Sequence, residues 1–205
     1  MAAYTPGTDA PTRIERLRRA QIINATIDLV AARGHAAASL SRIAAAAGVA
    51  KGTVIYHFVS RDAVLDAAYD HVLALLIEQV AAQVEDADPS RAPAVYVRAM
   101  IAHLSAHPAH ARTLEQAGLA AAASGEPSRP PGRSRWEPLA QLIGEATSSS
   151  DPAPGPSDIR TAAILAGGMI DAVVREFLED PAYDTAAAAR AIIAVMGWDD
   201  PEDDR

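Results

Sequence analysis

The stretch Ser39-Leu40-Ser41-Arg42-Ile43-Ala44-Ala45-Ala46-Ala47-Gly48-Val49-Ala50-Lys51-Gly52-Thr53-Val54-Ile55-Tyr56-His57-Phe58 holds the decisive pattern of this chain. Leu40, Ile43, Ala44 and Ala47 recur at i, i+3, i+4 and i+7, the apolar stripe of a short amphipathic helix. Ser39 stands where its hydroxyl can cap that helix. Gly48 ends it, and a second short helix, Lys51 to about Phe58, follows the turn Gly48-Val49-Ala50. Helix, glycine turn and helix at this spacing make a helix-turn-helix. Gly48 offers a positive φ at little steric cost. Ala44 is small where two helices would cross, and Ile43 and Val49 can lock the crossing. Many helical hairpins share the bare spacing, so the flanking residues carry the rest of the reading.

Upstream, a helix is expected from about Pro11 to Arg33, with Ile22, Ile23, Ile27, Leu29 and Val30 on a broad apolar face and Gly34 at its end. Downstream, Ser60 can cap a long helix whose stripe is Leu65, Ala68, Val72, Leu76 and Val80, with Asp62 and Asp66 near its positive end. Further helices are expected over about 94–106, ending at His107-Pro108, then 109–123, 136–146, 157–180 and 185–196. Loops are expected at 124–134 and 148–156. The count is nine helices with no strand and no internal repeat, an all-α fold. The expected organisation is a disordered leader at 1–12, a helix-turn-helix domain at 13–60, a helical body at 61–198 and an acidic tail at 199–205.

Charge is distributed unevenly over this plan. The chain carries a net −8, yet residues 1–61 hold eight basic side chains against three acidic ones, a net +5, and the remainder holds ten against 23, a net −13. A basic head on an acidic body suits a protein that meets a polyanion with one end only. There is no cysteine, which excludes disulfides, thiolate metal sites and thiol redox chemistry and suits a reducing cytoplasm. No run approaches the length of a membrane span, and the leader lacks the apolar segment of a secretory signal. A phosphate-cradling glycine loop, a nucleophile elbow, a zinc-binding His-Glu-x-x-His and a Cys/His pair are all missing, so no enzyme and no cofactor is expected. His103, His107 and His110 share a helical spacing, but Pro108 interrupts it, and a helix-ending turn explains them better than a metal site.

Beyond the bare spacing, Arg-Gly-His at 33–35, Ser-Leu-x-x-Ile-Ala-x-x-Ala-Gly-Val-Ala-Lys-Gly-Thr-Val-x-Tyr-His-Phe from Ser39, and Ser-Arg-Asp-x-Val-Leu from Ser60 resemble the TetR family of bacterial transcriptional regulators. The resemblance covers about Gln21 to Leu65. It implies a ligand-responsive DNA-binding regulator, a repressor that grips a palindromic operator as a homodimer and is released by a small-molecule effector. It implies DNA contacts from Ser39, Ser41 and Arg42, from Ala50, Lys51, Gly52 and Thr53 at the start of the recognition helix, from Tyr56 and His57 along the groove, and from Arg61 beside the next helix N-terminus. Two positions depart from the family pattern. Ile55 replaces a common Tyr, and Ala50 replaces a capping Ser.

For the body, the resemblance implies dimerisation through the last two long helices, where Ala162, Ala163, Ala166, Gly167 and Gly168 permit close approach. It also implies an effector pocket with candidate lining residues Leu76, Tyr96, Met100, His103, Leu104, Leu114, Trp136, Leu139, Met169, Val173 and Phe177, each of which also suits an ordinary core. Effector binding would shift the long helix that starts near Arg61 and change the spacing of the two heads. The alternative is a non-catalytic helical ligand-binding or scaffold protein whose head has lost its DNA contacts.

Overall fold

A computed structural model describes residues 12–124, 136–149 and 152–200. The leader at 1–11, most of the loop read at 124–134 and the end of the acidic tail at 201–205 lie outside the described residues. Within them the chain forms nine α-helices: α1 (Arg13–Arg33), α2 (Leu40–Ala46), α3 (Lys51–Phe58), α4 (Arg61–Glu85), α5 (Ala92–Ala106), α6 (Pro108–Ser124), α7 (Glu137–Ala146), α8 (Pro156–Glu179) and α9 (Thr185–Met196), with one 3-10 turn at His35–Ala37. Two compact units divide the chain, Met1–Ala68 and Tyr69–Arg205, and the division falls inside α4.

Helix ends follow local chemistry. Thr12 and Glu15 form a reciprocal capping box at the start of α1, in which each side chain accepts from the other's backbone N–H. Ser39 accepts from the Arg42 backbone N–H to cap α2, and Ser60 accepts from that of Ala63 in α4. The cap expected at Ser157 lies two residues earlier. α8 starts at Pro156 with Gly155 as its N-cap, and the Asp158 carboxylate accepts from the Gly155 N–H at 3.1 Å. Proline suits the first helical turn, where its missing N–H has no intrahelical partner to lose.

The first unit has its own core. Ile22 and Val30 of α1, Ile43 and Ala44 of α2, Val54 and Phe58 of α3, and Val64 and Leu65 of α4 are buried together. Leu40 and Val49 pack partly buried against them. Burying Phe58 and its aliphatic neighbours contributes roughly 2 kcal/mol per large side chain, enough to hold two very short helices that would not persist alone.

In the second unit the core joins α5, α7, α8 and α9. Leu139 and Ile143 of α7 meet Tyr96, Val97, Met100 and Ile101 of α5, Ala163, Ala166 and Ile170 of α8, and Ile192 and Ile193 of α9. The buried Asp200 carboxylate takes the Arg98 guanidinium, which fastens the segment after α9 to α5. Ala163, Ala166 and Gly167 face this interior and are buried, while Gly168 is exposed. Gly167 has a specific neighbour. A Cβ built there would lie 2.4 Å from the Trp136 indole, so the ring rests directly on the bare α8 backbone. Gly167→Ala should therefore lower stability by about 1–3 kcal/mol through overpacking, and Gly168→Ala should not. Urea unfolding of the two variants measures the difference.

Candidate nucleic-acid interface

α3 presents a sharply divided surface. Val54 and Phe58, one helical turn apart, are sunk in the core, whereas Lys51, Gly52, Ile55 and Tyr56 are exposed and Thr53 and His57 partly exposed. The leading edge therefore offers a lysine charge, a bare glycine and a threonine hydroxyl to solvent. A helix inserted into a major groove uses such groups on base edges and phosphates. Ala50 is the N-cap of α3 and makes no side-chain cap bond, and within the first turn the Thr53 N–H donates to the Ala50 carbonyl at 2.9 Å. Gly48 adopts φ +64° in the turn, and the Val49 N–H donates to the Ala44 carbonyl at 2.9 Å. Together these set the helix crossing.

The other sequence-derived positions sit around this edge. Ser39, Ser41 and Arg42 are exposed on α2, and the Arg42 guanidinium donates to the Ala37 carbonyl at 3.1 Å. The Arg61 guanidinium is occupied inside the head. Its Nε donates to the Ala38 carbonyl at 2.9 Å and one Nη donates to the His35 carbonyl at 2.6 Å. The other Nη meets the Asp62 carboxylate at 3.3 Å. Arg61 thus pins the 3-10 turn, a segment that helical periodicity does not reveal.

Among the described residues three polar side chains of α1 reach the motif, and none of their contacts is foreshadowed by the motif pattern. The Gln21 amide donates to the Ala47 carbonyl at 2.7 Å. The Arg19 guanidinium donates to the His57 carbonyl at 3.2 Å and lies 4.2 Å from the Phe58 ring centre, a cation–π contact. The Tyr56 hydroxyl donates to Glu15 Oε1 at 3.0 Å. The spacing of Glu15 and Arg19, four apart on one helix face, is the only sequence signal for them. Glu15 is held below the usual carboxylate range by the Thr12 backbone N–H first and the Tyr56 hydroxyl next. The Tyr56 phenol is raised by the bond to Glu15 and by its charge.

In the second unit, the candidate pocket residues Leu76, Tyr96, Met100, Leu104, Leu139 and Val173 are buried in the core. Leu114, Trp136 and Met169 pack against it partly buried, and His103 and Phe177 are half-exposed. An open groove of about 540 Å³ lies along α8 and α9, lined by Asp158, Thr161, Ala162, Leu165, Met169, Val195 and Met196. Met169 is the one pocket candidate on it. His103, His107 and His110 do gather where α5 gives way to α6, with ring centres 4.7–5.5 Å apart. No group of three or more His, Asp or Glu among the described residues is placed to hold a metal ion.

Comparison with known proteins agrees with this geometry. The head is a helix-turn-helix domain, and residues 22–68 match the family model described as bacterial regulatory proteins, tetR family. The chain is 33% identical over 88 residues to the HTH-type transcriptional regulator BetI of Ectopseudomonas mendocina (strain ymp), covering 43% of this chain and 44% of that protein. The match thus spans less than half the length of this curated relative. Over nearly the whole chain the fold is similar to that of solved structures with 20–23% sequence identity. The fatty acid degradation regulator FadR from Bacillus halodurans superposes with a TM-score of 0.71 at 23% identity, over 93% of this chain and 96% of that one. AibR, solved in complex with isovaleryl coenzyme A and operator DNA, superposes with a TM-score of 0.65 at 20% identity, over 87% and 97%.

The histidine cluster yields a pH prediction. Burial first, and then the neighbouring His107 and His110, lower the pKa of His103 below its ordinary 6.5. Unfolded His103 therefore binds a proton at a pH where the folded protein does not. Its contribution to stability is complete above that value and is lost as the pH falls through it. The melting temperature should decline on acidification from about pH 7 to about pH 5, and His103→Gln should make that decline shallower.

Proposed function

We propose that this protein is a ligand-responsive transcriptional regulator that binds a palindromic operator as a homodimer and is released by a small-molecule effector. The observation that carries the reading is the divided surface of α3, where Val54 and Phe58 anchor the helix, Lys51 and Gly52 stand exposed at its leading edge and Thr53 is partly exposed beside them. Lys51 serves a phosphate or a guanine, and Thr53, Tyr56 and His57 serve the groove wall. Ser39, Ser41 and Arg42 meet the flanking backbone of the duplex. Arg61, with its guanidinium engaged on the 35–38 segment, supports the interface by holding the 3-10 turn. The tetR-family match at 22–68 supports this reading, as does a neighbour of the same fold complexed with operator DNA.

One short helix reads too few bases for specificity, so a symmetric pair of heads is required. The pairing face is α8 and α9, where Ile164, Leu165 and Val195 are 47%, 57% and 75% exposed. Apolar side chains gathered beside a groove suit burial against a second copy. The effector site lies in the second unit, whose interior is largely aliphatic, with His103 as a polar group. This is a binding protein acting in the cytoplasm, and no catalytic step is assigned to it. Among the described residues no helix is long and apolar enough to cross a membrane.

Sequencing the duplexes that the protein selects from random DNA should yield a two-fold symmetric site. Lys51→Ala should weaken binding to that site and reduce the slope of log affinity against log salt by about one, with helicity unchanged. Selection of no sequence, with weak binding to every duplex, would favour a scaffold or plain ligand-binding role instead. Leu165→Glu should convert the dimer to a monomer in light scattering and weaken operator binding with it. A thermal-shift screen that includes isovaleryl coenzyme A as one probe would search for the effector.

A further inference from the structure

The Tyr56–Glu15 contact sets a carboxylate against the proposed DNA-reading face. A phenol has a single proton to donate. With Oε1 of Glu15 at 3.0 Å, that proton is already committed to an anion of the protein itself. The same carboxylate accepts through Oε2 from the Thr12 backbone N–H at 2.7 Å, so the α1 cap holds Glu15 in place. The hydrogen bonds of the other two links from α1 to the motif end on main-chain carbonyls, those of Ala47 and His57, and the side chain that Arg19 also covers is the buried Phe58 ring. Glu15 engages a side chain of the proposed reading face, and Tyr56 is 72% exposed, open to a competing phosphate.

Resting on the DNA-binding reading above, we infer that Glu15 is a built-in brake on the interface: it holds the hydroxyl of Tyr56 in the free protein, and a duplex phosphate must displace it to bind there. The exchange is between two anionic acceptors for one donor. A bond to a charged acceptor is about twice as strong as one to a neutral acceptor, so the competition is close and Glu15 tunes affinity without touching DNA. Glu15→Gln separates its two jobs. The amide oxygen can keep the Thr12 cap, since glutamine serves in a capping box. The remaining amide nitrogen is a donor and no longer takes the Tyr56 proton.

The test is a double-mutant cycle on a duplex selected by the parent protein, with circular dichroism confirming that α1 stays folded. Glu15→Gln should tighten binding about fivefold, and it should give no gain in the Tyr56→Phe background. Unchanged or weaker binding by Glu15→Gln overturns the inference. So does an equal gain in both backgrounds, which would show plain charge repulsion instead of competition for a proton. A second measurement needs no DNA: the ionisation of Tyr56, followed by NMR of the labelled ring, should move down toward the ordinary 10.0 in Glu15→Gln. An identical titration in parent and variant removes the contact and the inference with it. Failure of the parent to select any duplex sinks the DNA-binding reading and this inference together. Selection by the parent with Glu15→Gln unmoved sinks this inference alone.

Discussion

Everything at the proposed interface depends on one division of surface within eight residues. α3 is short, and without neighbours it would not stay helical. Val54 and Phe58 give it an address by entering a core shared with α1, α2 and α4, and Arg19 covers the Phe58 ring from outside. Because those two side chains point inward, helical geometry turns Gly52 and Tyr56 to the opposite side, while Lys51 and Ile55 flank the buried stripe and are exposed at its margin. The exposed edge is therefore a consequence of the buried one. Ile55 can replace a tyrosine there without disturbing the fold, since its side chain adds little to that core.

Around this core, polar groups decide orientation. Ser39 and Ser60 cap α2 and α4 at the two edges of the motif, and Arg61 binds two carbonyls of the 35–38 segment. A guanidinium suits that task because its planar fork meets several oxygens at fixed angles. The basic side chains of the head thus have unequal duties. Arg19 and Arg61 are committed to the architecture, while Lys51 keeps its charge exposed at the leading edge of α3. Net charge suits the head to the proposed polyanionic partner but does not say which cations are available to one.

The second unit works by different means. Few aromatic residues are present, so its core relies on close helix approach, and the contact of the Trp136 ring with the bare backbone at Gly167 is an instance. Small residues on α8 have divided roles. Ala163, Ala166 and Gly167 fill the interior, and Ala162 lines the outer groove beside Leu165. An apolar stripe wider than one core requires is what a helix shows when it packs on both sides.

Periodicity and capping chemistry were enough to read nine helices and the glycine turn at Gly48, because each is set by residues within a turn or two of one another. Start positions slipped by a few residues where two caps compete, as at Gly155 and Ser157. The 3-10 turn held by Arg61, the Arg19–Phe58 contact and the hold of Glu15 on Tyr56 were not legible in the same way. Those pairs lie between 23 and 41 residues apart, and no local rule says which side chain of one helix will meet which group of another. Local sequence determined what each segment is. Only the tertiary structure decided which of its polar groups are already spoken for, since a hydrogen bond between distant segments exists only once packing has brought them within about 3 Å.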